Sequence, residues 1–317
     1  MKSFIINQND SGQRLDKFIT KTAPKLPKSL LYKYIRLKRI KINRKRAEIS
    51  TKLNVGDVVD MYINDEFFEE KPKTYDFMLA SKKLNIIYED ENIILIDKPE
   101  GLIVHPDKNE YNDTLITRIQ RYLFEKGEYN PDDENTFTPS LANRIDRNTG
   151  GIVIAAKNAE TLRILNEKIK RREIDKFYLC LVHGILDKKE DTLVAYHIKD
   201  KEKNTVKISN KPFENSKTIK TKYKVLKEKN NISLLEIELL TGRTHQIRAH
   251  FSHIGHALVG DGKYGKNKFD RKKGFVHQAL YSYKLRFNFK TDSGILEYLN
   301  QKEFHVENVW FATLKDI

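Results

Sequence analysis

Asn143-Arg144-Ile145-Asp146-Arg147-Asn148-Thr149-Gly150-Gly151-Ile152-Val153-Ile154-Ala155-Ala156-Lys157 sets a polar segment, dense in Arg, Asn, Asp and Gly, directly against an apolar run. Residues 152–156 read as a buried strand, and a short polar loop held by such a strand is where a rigid scaffold carries reactive groups. Asp146 lies between Arg144 and Arg147. Pairing with either would favour its ionised form, fit to act as nucleophile, base or metal ligand. The same pattern also suits an Asp and Arg pair that only ties down a turn.

Working outward, residues 84–88 and 93–97 are apolar runs joined by Glu89-Asp90-Glu91-Asn92 and closed by Lys98-Pro99-Glu100-Gly101, the pattern of a hairpin. Asp113 is placed to cap a helix on which Leu115, Ile116, Ile119, Tyr122 and Leu123 share a face. A second helix is expected from Asn158 to Arg171, with Leu162, Leu165 and Ile169 inward. Strand patterns follow at 177–182, 222–226, 233–239 and 283–289. Cys180, the one cysteine, sits within the first of these, so a small core residue is expected and no internal disulfide can form. With no internal repeat, the large unit reads as α+β, built on a mostly antiparallel mixed sheet.

The chain carries 59 Lys plus Arg against 44 Asp plus Glu, a net charge of +15, which makes a polyanion the first partner to consider. The excess is concentrated: residues 1–65 hold 15 basic and 6 acidic side chains, +9 of the total. Leu30, Leu31, Tyr34 and Ile35 recur at helical spacing while Lys28, Lys33, Arg36 and Arg39 fall on other faces. A strand is expected over 39–43, then a basic turn, then a turn and strand over 54–62. Residues 66–83 mix acidic, aromatic and Lys-Pro-Lys elements without periodicity and read as a linker before a large domain at 84–317. No apolar run approaches the roughly 20 residues that span a bilayer, so no membrane partner is expected. Met1-Lys2-Ser3-Phe4-Ile5-Ile6-Asn7 lacks the long apolar stretch of an export signal, so the cytoplasm is the expected location.

A second informative stretch is Leu239-Leu240-Thr241-Gly242-Arg243-Thr244-His245-Gln246-Ile247-Arg248-Ala249-His250-Phe251-Ser252-His253-Ile254-Gly255-His256. Ile247, Phe251 and Ile254 make a helical stripe, with Gly255 suited to the C-terminal cap. Thr244, His245 and Arg248 sit near the helix N-terminus, where a phosphate or the carboxylate of Asp146 could be held. The four histidines raise a metal-dependent nuclease as an alternative, yet their spacing matches no zincin pattern and no metal is expected.

Residues 143–151 resemble the central motif of the RluA-like pseudouridine synthases, the branch containing RluC and RluD, in which His-Arg-Leu-Asp is followed two residues later by Thr-Ser-Gly. Arg144, Asp146, Thr149 and Gly151 match, Ile145 is conservative, and Asn143 and Gly150 replace the usual His and Ser. Further matches are residues 97–102 with His105-Pro106, then Lys176-Phe177-Tyr178, residues 241–248, Gly260-Asp261 and Tyr264-Gly265. Residues 1–65 resemble a small α/β S4-type RNA-binding domain, with Lys38 and Arg44 standing where glycine is usual.

The resemblance implies a pseudouridine synthase fold and an enzyme without cofactor, acting as a monomer on structured RNA, most naturally 23S ribosomal RNA. It implies that Asp146 is the nucleophilic carboxylate, Tyr178 the ring stacking on the target base, and Arg248 the cation paired with Asp146. Asp146 could attack the sugar C1′ or the base C6, or remove a sugar proton. Arg144 would fill the space left by a flipped nucleotide. Arg147, Arg243, His245, Lys28, Lys33, Arg36, Lys38 and Arg39 are the expected RNA contacts. An RNA-binding protein that has lost catalysis is the second alternative, against which the three retained site residues argue.

Overall fold

A computed structural model describes residues 1–69, 74–200, 202 and 205–313. The first unit contains β1 (Lys2–Ile5), α1 (Leu15–Thr22), α2 (Lys28–Arg36), β2 (Ile40–Ile42), β3 (Lys45–Arg46) and β4 (Val58–Met61), in an antiparallel sheet of order β1-β4-β2-β3. Its separate core takes Leu15, Phe18 and Ile19 from α1, Leu31 and Ile35 from α2, and Ile40, Val59 and Met61 from the sheet. Burying that face of α2 turns Lys28, Lys33 and Arg36 to solvent, and Lys38 and Arg39 just beyond are exposed too. Lys38 and Arg44, the two departures from glycine, have φ of 61° and 64°. Glycine adopts that left-handed backbone without steric cost, whereas a side chain is strained there.

Of the segment read as a linker, 66–83, residues 70–73 lie outside the described residues. On one side Phe68 packs into the first core, and on the other Phe77 packs into the large one. Arg121 Nη1 holds the second flank by donating to the carbonyls of Met78 and Ala80 at 2.8 and 2.6 Å.

The large unit runs β5 (Ile86–Glu89), β6 (Ile93–Lys98), α3 (Leu115–Glu125), β7 (Ser140–Leu141), β8 (Gly150–Ala156), α4 (Ala159–Arg171), β9 (Ile174–His183), β10 (Glu190–Asp200), β11 (Thr205–Ser209), β12 (Lys217–Lys229), β13 (Ile232–Glu238), α5 (Gln246–His253), α6 (Lys268–Lys272), β14 (Leu280–Phe287) and β15 (Glu303–His305). These strands form one mixed sheet of order β11-β10-β12-β13-β9-β14-β8-β6-β5, with β7 on β8 and β15 on β14. The β8–β14 pair is parallel, and among the described residues every other pairing is antiparallel. Strand β8 is buried on both faces, Val153 and Ala155 in one core and Ile152, Ile154 and Ala156 in the other, which explains its unbroken apolar run.

Two helix details differ from the sequence reading. Thr114, not Asp113, caps α3, in a capping box with Thr117, while Asp113 takes two 2.7 Å hydrogen bonds from Arg118. A charged partner five residues on outcompetes the cap for that carboxylate. Ile254 stays 37% exposed because α5 ends at His253 and the chain turns away through Gly255, at φ 87°. Cys180 is buried in the core as expected.

The two units meet through polar contacts. Asn135 Nδ2 and Thr136 Oγ1 each donate to the fully buried Asp10 carboxylate at 2.6 Å, and Asn7 and Asn9 donate to Glu134. Asn9 Oδ1 accepts from the Ala159 amide at the start of α4 at 2.9 Å.

Candidate active site

The loop carrying Asp146 is held from behind. Lys98, at the end of β6, has no exposed surface and donates from Nζ to the carbonyls of Pro99, Leu102 and Arg147 at 2.8, 2.8 and 3.0 Å. Burial pushes this ammonium down to about 7, opposed by the charges of Glu100, Asp146 and Asp97. Gly101, at φ 86°, donates its amide to the same Arg147 carbonyl at 2.9 Å. In front, the Thr149 amide closes a turn on the Asp146 carbonyl at 3.1 Å. Gly150 and Gly151 then allow β14 to lie against β8. A Cβ at Gly150 would stand 2.3 Å from the Tyr281 ring, and one at Gly151 2.2 Å from the Ser282 carbonyl. The Gly150 departure is therefore matched by an aromatic ring where a serine side chain would clash.

The flanking arginines do not pair with Asp146. Arg147 Nη2 bonds Asp107 at 2.9 Å, and Arg144 is exposed and makes no ion pair among the described residues. The pairing cation comes from α5: Arg248 Nη1 donates to Asp146 Oδ2 at 3.2 Å. The rest of that guanidinium is clamped by Asp261, which accepts from Nε at 2.7 Å and Nη2 at 2.9 Å. Asp261 also takes the Lys263 and Tyr264 amides at 2.8 and 3.1 Å. Burial alone would raise the Asp261 carboxyl, but its bonds and charge interaction with Arg248 outweigh it and hold the group low. Asp261 and Arg248 side chains are 0% and 9% exposed, whereas Asp146 is 26% exposed, so Asp146 is the member of this trio open to a substrate.

His245 stands beside them in left-handed backbone at φ 51°. Its Nδ1 is 2.8 Å from the Tyr264 hydroxyl and its Nε2 3.7 Å from Asp146 Oδ2. Burial, aided by the charges of Arg248 and Lys263, pushes its imidazole down to about 4, so it is neutral near pH 7. Tyr178 on β9 is buried, and burial with the Asp146 charge pushes its phenol up to about 12. Asp146, Tyr178, Arg248, Arg144, Arg243 and His245 all line one cavity of about 310 Å3. Arg147 lines the adjoining groove of about 840 Å3 instead, with His105, Lys199 and Arg271. The basic residues of the first unit belong to neither.

The remaining histidines of this stretch are engaged separately. His250 Nδ1 meets Thr221 Oγ1 at 3.0 Å in the core, His253 Nε2 meets Asn210, and His256 Nδ1 meets the His183 carbonyl. Sequence reasoning took Gly260-Asp261 only as part of a resemblance and missed its role behind Arg248. It also missed Lys98, whose flanking Asp97 and Pro99 suggested a surface turn.

Residues 92–253 match the RNA pseudouridylate synthase family, and the chain belongs to it: an isomerase acting on uridine in RNA. Within that family it falls with the RluA-like, RluC-type enzymes. Over 290 residues, 90% of this chain and 88% of the relative, it is 35% identical to an uncharacterized RNA pseudouridine synthase of Mycoplasma genitalium. It is 33% identical to ribosomal large subunit pseudouridine synthase C of Buchnera aphidicola from Acyrthosiphon pisum, covering 84% of this chain and 81% of that one. The fold is shared with human RNA pseudouridylate synthase domain containing 4, at TM-score 0.56 and 18% identity over 72% of this chain and 90% of that one.

Proposed function

We propose that this enzyme converts uridine to pseudouridine in large-subunit ribosomal RNA, with the Asp146 carboxylate acting on a uridine flipped into the cavity it shares with Tyr178. The observation that carries this reading is the graded exposure of the Asp146, Arg248 and Asp261 chain. Two carboxylates compete for one guanidinium, and the one left partly open faces a space suited to a single base. The reaction breaks N1–C1′, rotates the uracil and joins C5 to C1′; the C5 proton is lost and N1 gains one, so atoms balance without a cofactor. Asp146 attacks C1′ or C6, or takes a sugar proton, and each route starts from a free carboxylate oxygen beside the base. Tyr178, kept as a neutral phenol, offers the detached uracil a stacking face in a site that limits its escape to water.

Arg144 and Arg243, exposed at the cavity rim, meet backbone phosphates, and Arg144 fills the gap left by the flipped base. The first unit acts as an S4-like dock whose exposed Lys28, Lys33, Arg36, Lys38 and Arg39 track RNA, and the protein works as a monomer in the cytoplasm. The RluC-named relatives support the ribosomal substrate. Asp146→Asn keeps the shape but removes the nucleophile. We expect RNA binding unchanged and single-turnover product formation reduced by about a thousandfold or more. A variant converting uridine at near-parental rate would end this reading.

A further inference from the structure

Lys176 is a cation without a counter-charge among the described residues. Two residues before Tyr178 on β9, it projects from the same face of the strand, about 7 Å along it. It lines the cavity that holds Asp146, whose lining mixes Ala142, Leu239 and Leu280 with polar and charged side chains. Among the described residues it has no ion pair and no side-chain hydrogen bond. Its neighbour Asp175 faces the other way, accepting from Arg286 and Asn288 at 2.8 to 3.2 Å. Burial holds the Lys176 ammonium below the ordinary lysine value. A cation in such surroundings is costly unless something anionic completes it.

The cavity's other cations divide the work. Arg144 and Arg243 are exposed at the rim, where hydrated phosphates can reach them, and Arg248 is committed to Asp261 and Asp146. Lys176 stands beside Tyr178 on one face of β9, so the group within its reach is the base that meets this ring.

Resting on the reading that this cavity receives a flipped uridine, we infer that Lys176 donates a hydrogen bond to a carbonyl oxygen of the uracil and stabilises the negative charge the base acquires when its bond to C1′ breaks. The N1–C1′ electron pair leaves with the base and spreads over N1, O2 and O4. It returns as the C5–C1′ bond, after which C5 loses its proton and N1 gains one. Lys176 keeps its own proton throughout. A fixed donor aimed where charge develops acts on the transition state more than on the bound substrate.

Lys176→Met, Lys176→Arg and Asp146→Asn are compared with the parent on a ribosomal RNA fragment, by single-turnover rate, by Kd across salt concentrations and by melting temperature. We expect Lys176→Met to lower the rate about 100-fold or more. Its Kd and salt slope should stay parental and its melting temperature equal or higher, because an uncompensated half-buried charge has been removed. Lys176→Arg should recover to within about tenfold of the parent, keeping a charge with different geometry. A Lys176→Met rate within about threefold of the parent, or a loss appearing in Kd and salt slope instead, would overturn the assignment. So would a fallen melting temperature in Lys176→Met with no recovery by arginine. An active Asp146→Asn would instead sink the reading of the whole site, whatever Lys176 does.

Discussion

Replacing Asp261 by asparagine tests whether the buried half of the carboxylate chain governs the open half. Oδ1 of Asp261 takes Arg248 Nη2 and two backbone amides, and Oδ2 takes Arg248 Nε at 2.7 Å. Asparagine can keep the first set through its one oxygen but turns an NH2 group toward Nε–H, removing one charge-assisted bond worth about 1.5–3 kcal/mol. It also leaves a buried guanidinium with half its counter-charge, which brings the expected destabilisation to about 3–5 kcal/mol. Neither side chain is exposed enough for solvent to soften the loss. Arg248 is then free to follow Asp146, and if Asp146 reacts as proposed, a displacement of about 1 Å at its carboxylate costs on the order of 100-fold in rate. Urea unfolding and single-turnover conversion measure the two effects, and an Arg248→Met, Asp261→Asn cycle measures their coupling. An Asp261→Asn protein within about 1 kcal/mol and about threefold of the parent would refute the clamp.

Two further outcomes follow from the fold. Lys38→Gly relieves left-handed strain and should stabilise the first unit by about 1 kcal/mol, while lowering the salt slope of RNA binding by about 1; destabilisation would contradict the backbone argument. Lys168 and Glu173 form a buried pair at 2.7 Å. Burial alone would raise the Glu173 carboxyl, but bonds from Lys168, Thr291 and the Lys290 amide hold it at about 2. Because this pKa is depressed, the stability it confers is present above the ordinary glutamate range and lost as pH falls through about 2. Glu173→Gln should cost about 3–5 kcal/mol near neutrality and flatten the acid limb of a stability profile, and a limb unchanged from the parent would refute it.

Periodic segments with one buried face were legible in the sequence. Helix α2 follows Leu31 and Ile35, the β5–β6 hairpin follows its apolar runs, and the Asp146 loop was marked by its contrast with β8. Strands β10 and β11 were not, because this hairpin stands at the sheet edge, largely solvated, where alternation weakens. At the site, proximity in sequence misled: Arg147 adjoins Asp146 but turns to Asp107, and the partner arrives from 102 residues away. Sequence spacing cannot reveal that Lys98 points inward to three carbonyls, since its neighbours are charged or turn-forming.

The glycine seam between β8 and β14 also sets an order of events during synthesis. Gly150 and Gly151 find their partners Tyr281 and Ser282 only after most of the chain has left the ribosome. Contacts so distant in sequence form late, because the loop between them must close before they contribute. The first unit draws its core from residues 6–68 and can assemble while the rest is still being made. A nascent chain thus presents its basic surface long before its Asp146 loop is finished. An early termination product would retain that basic surface with nothing behind it to perform the isomerisation.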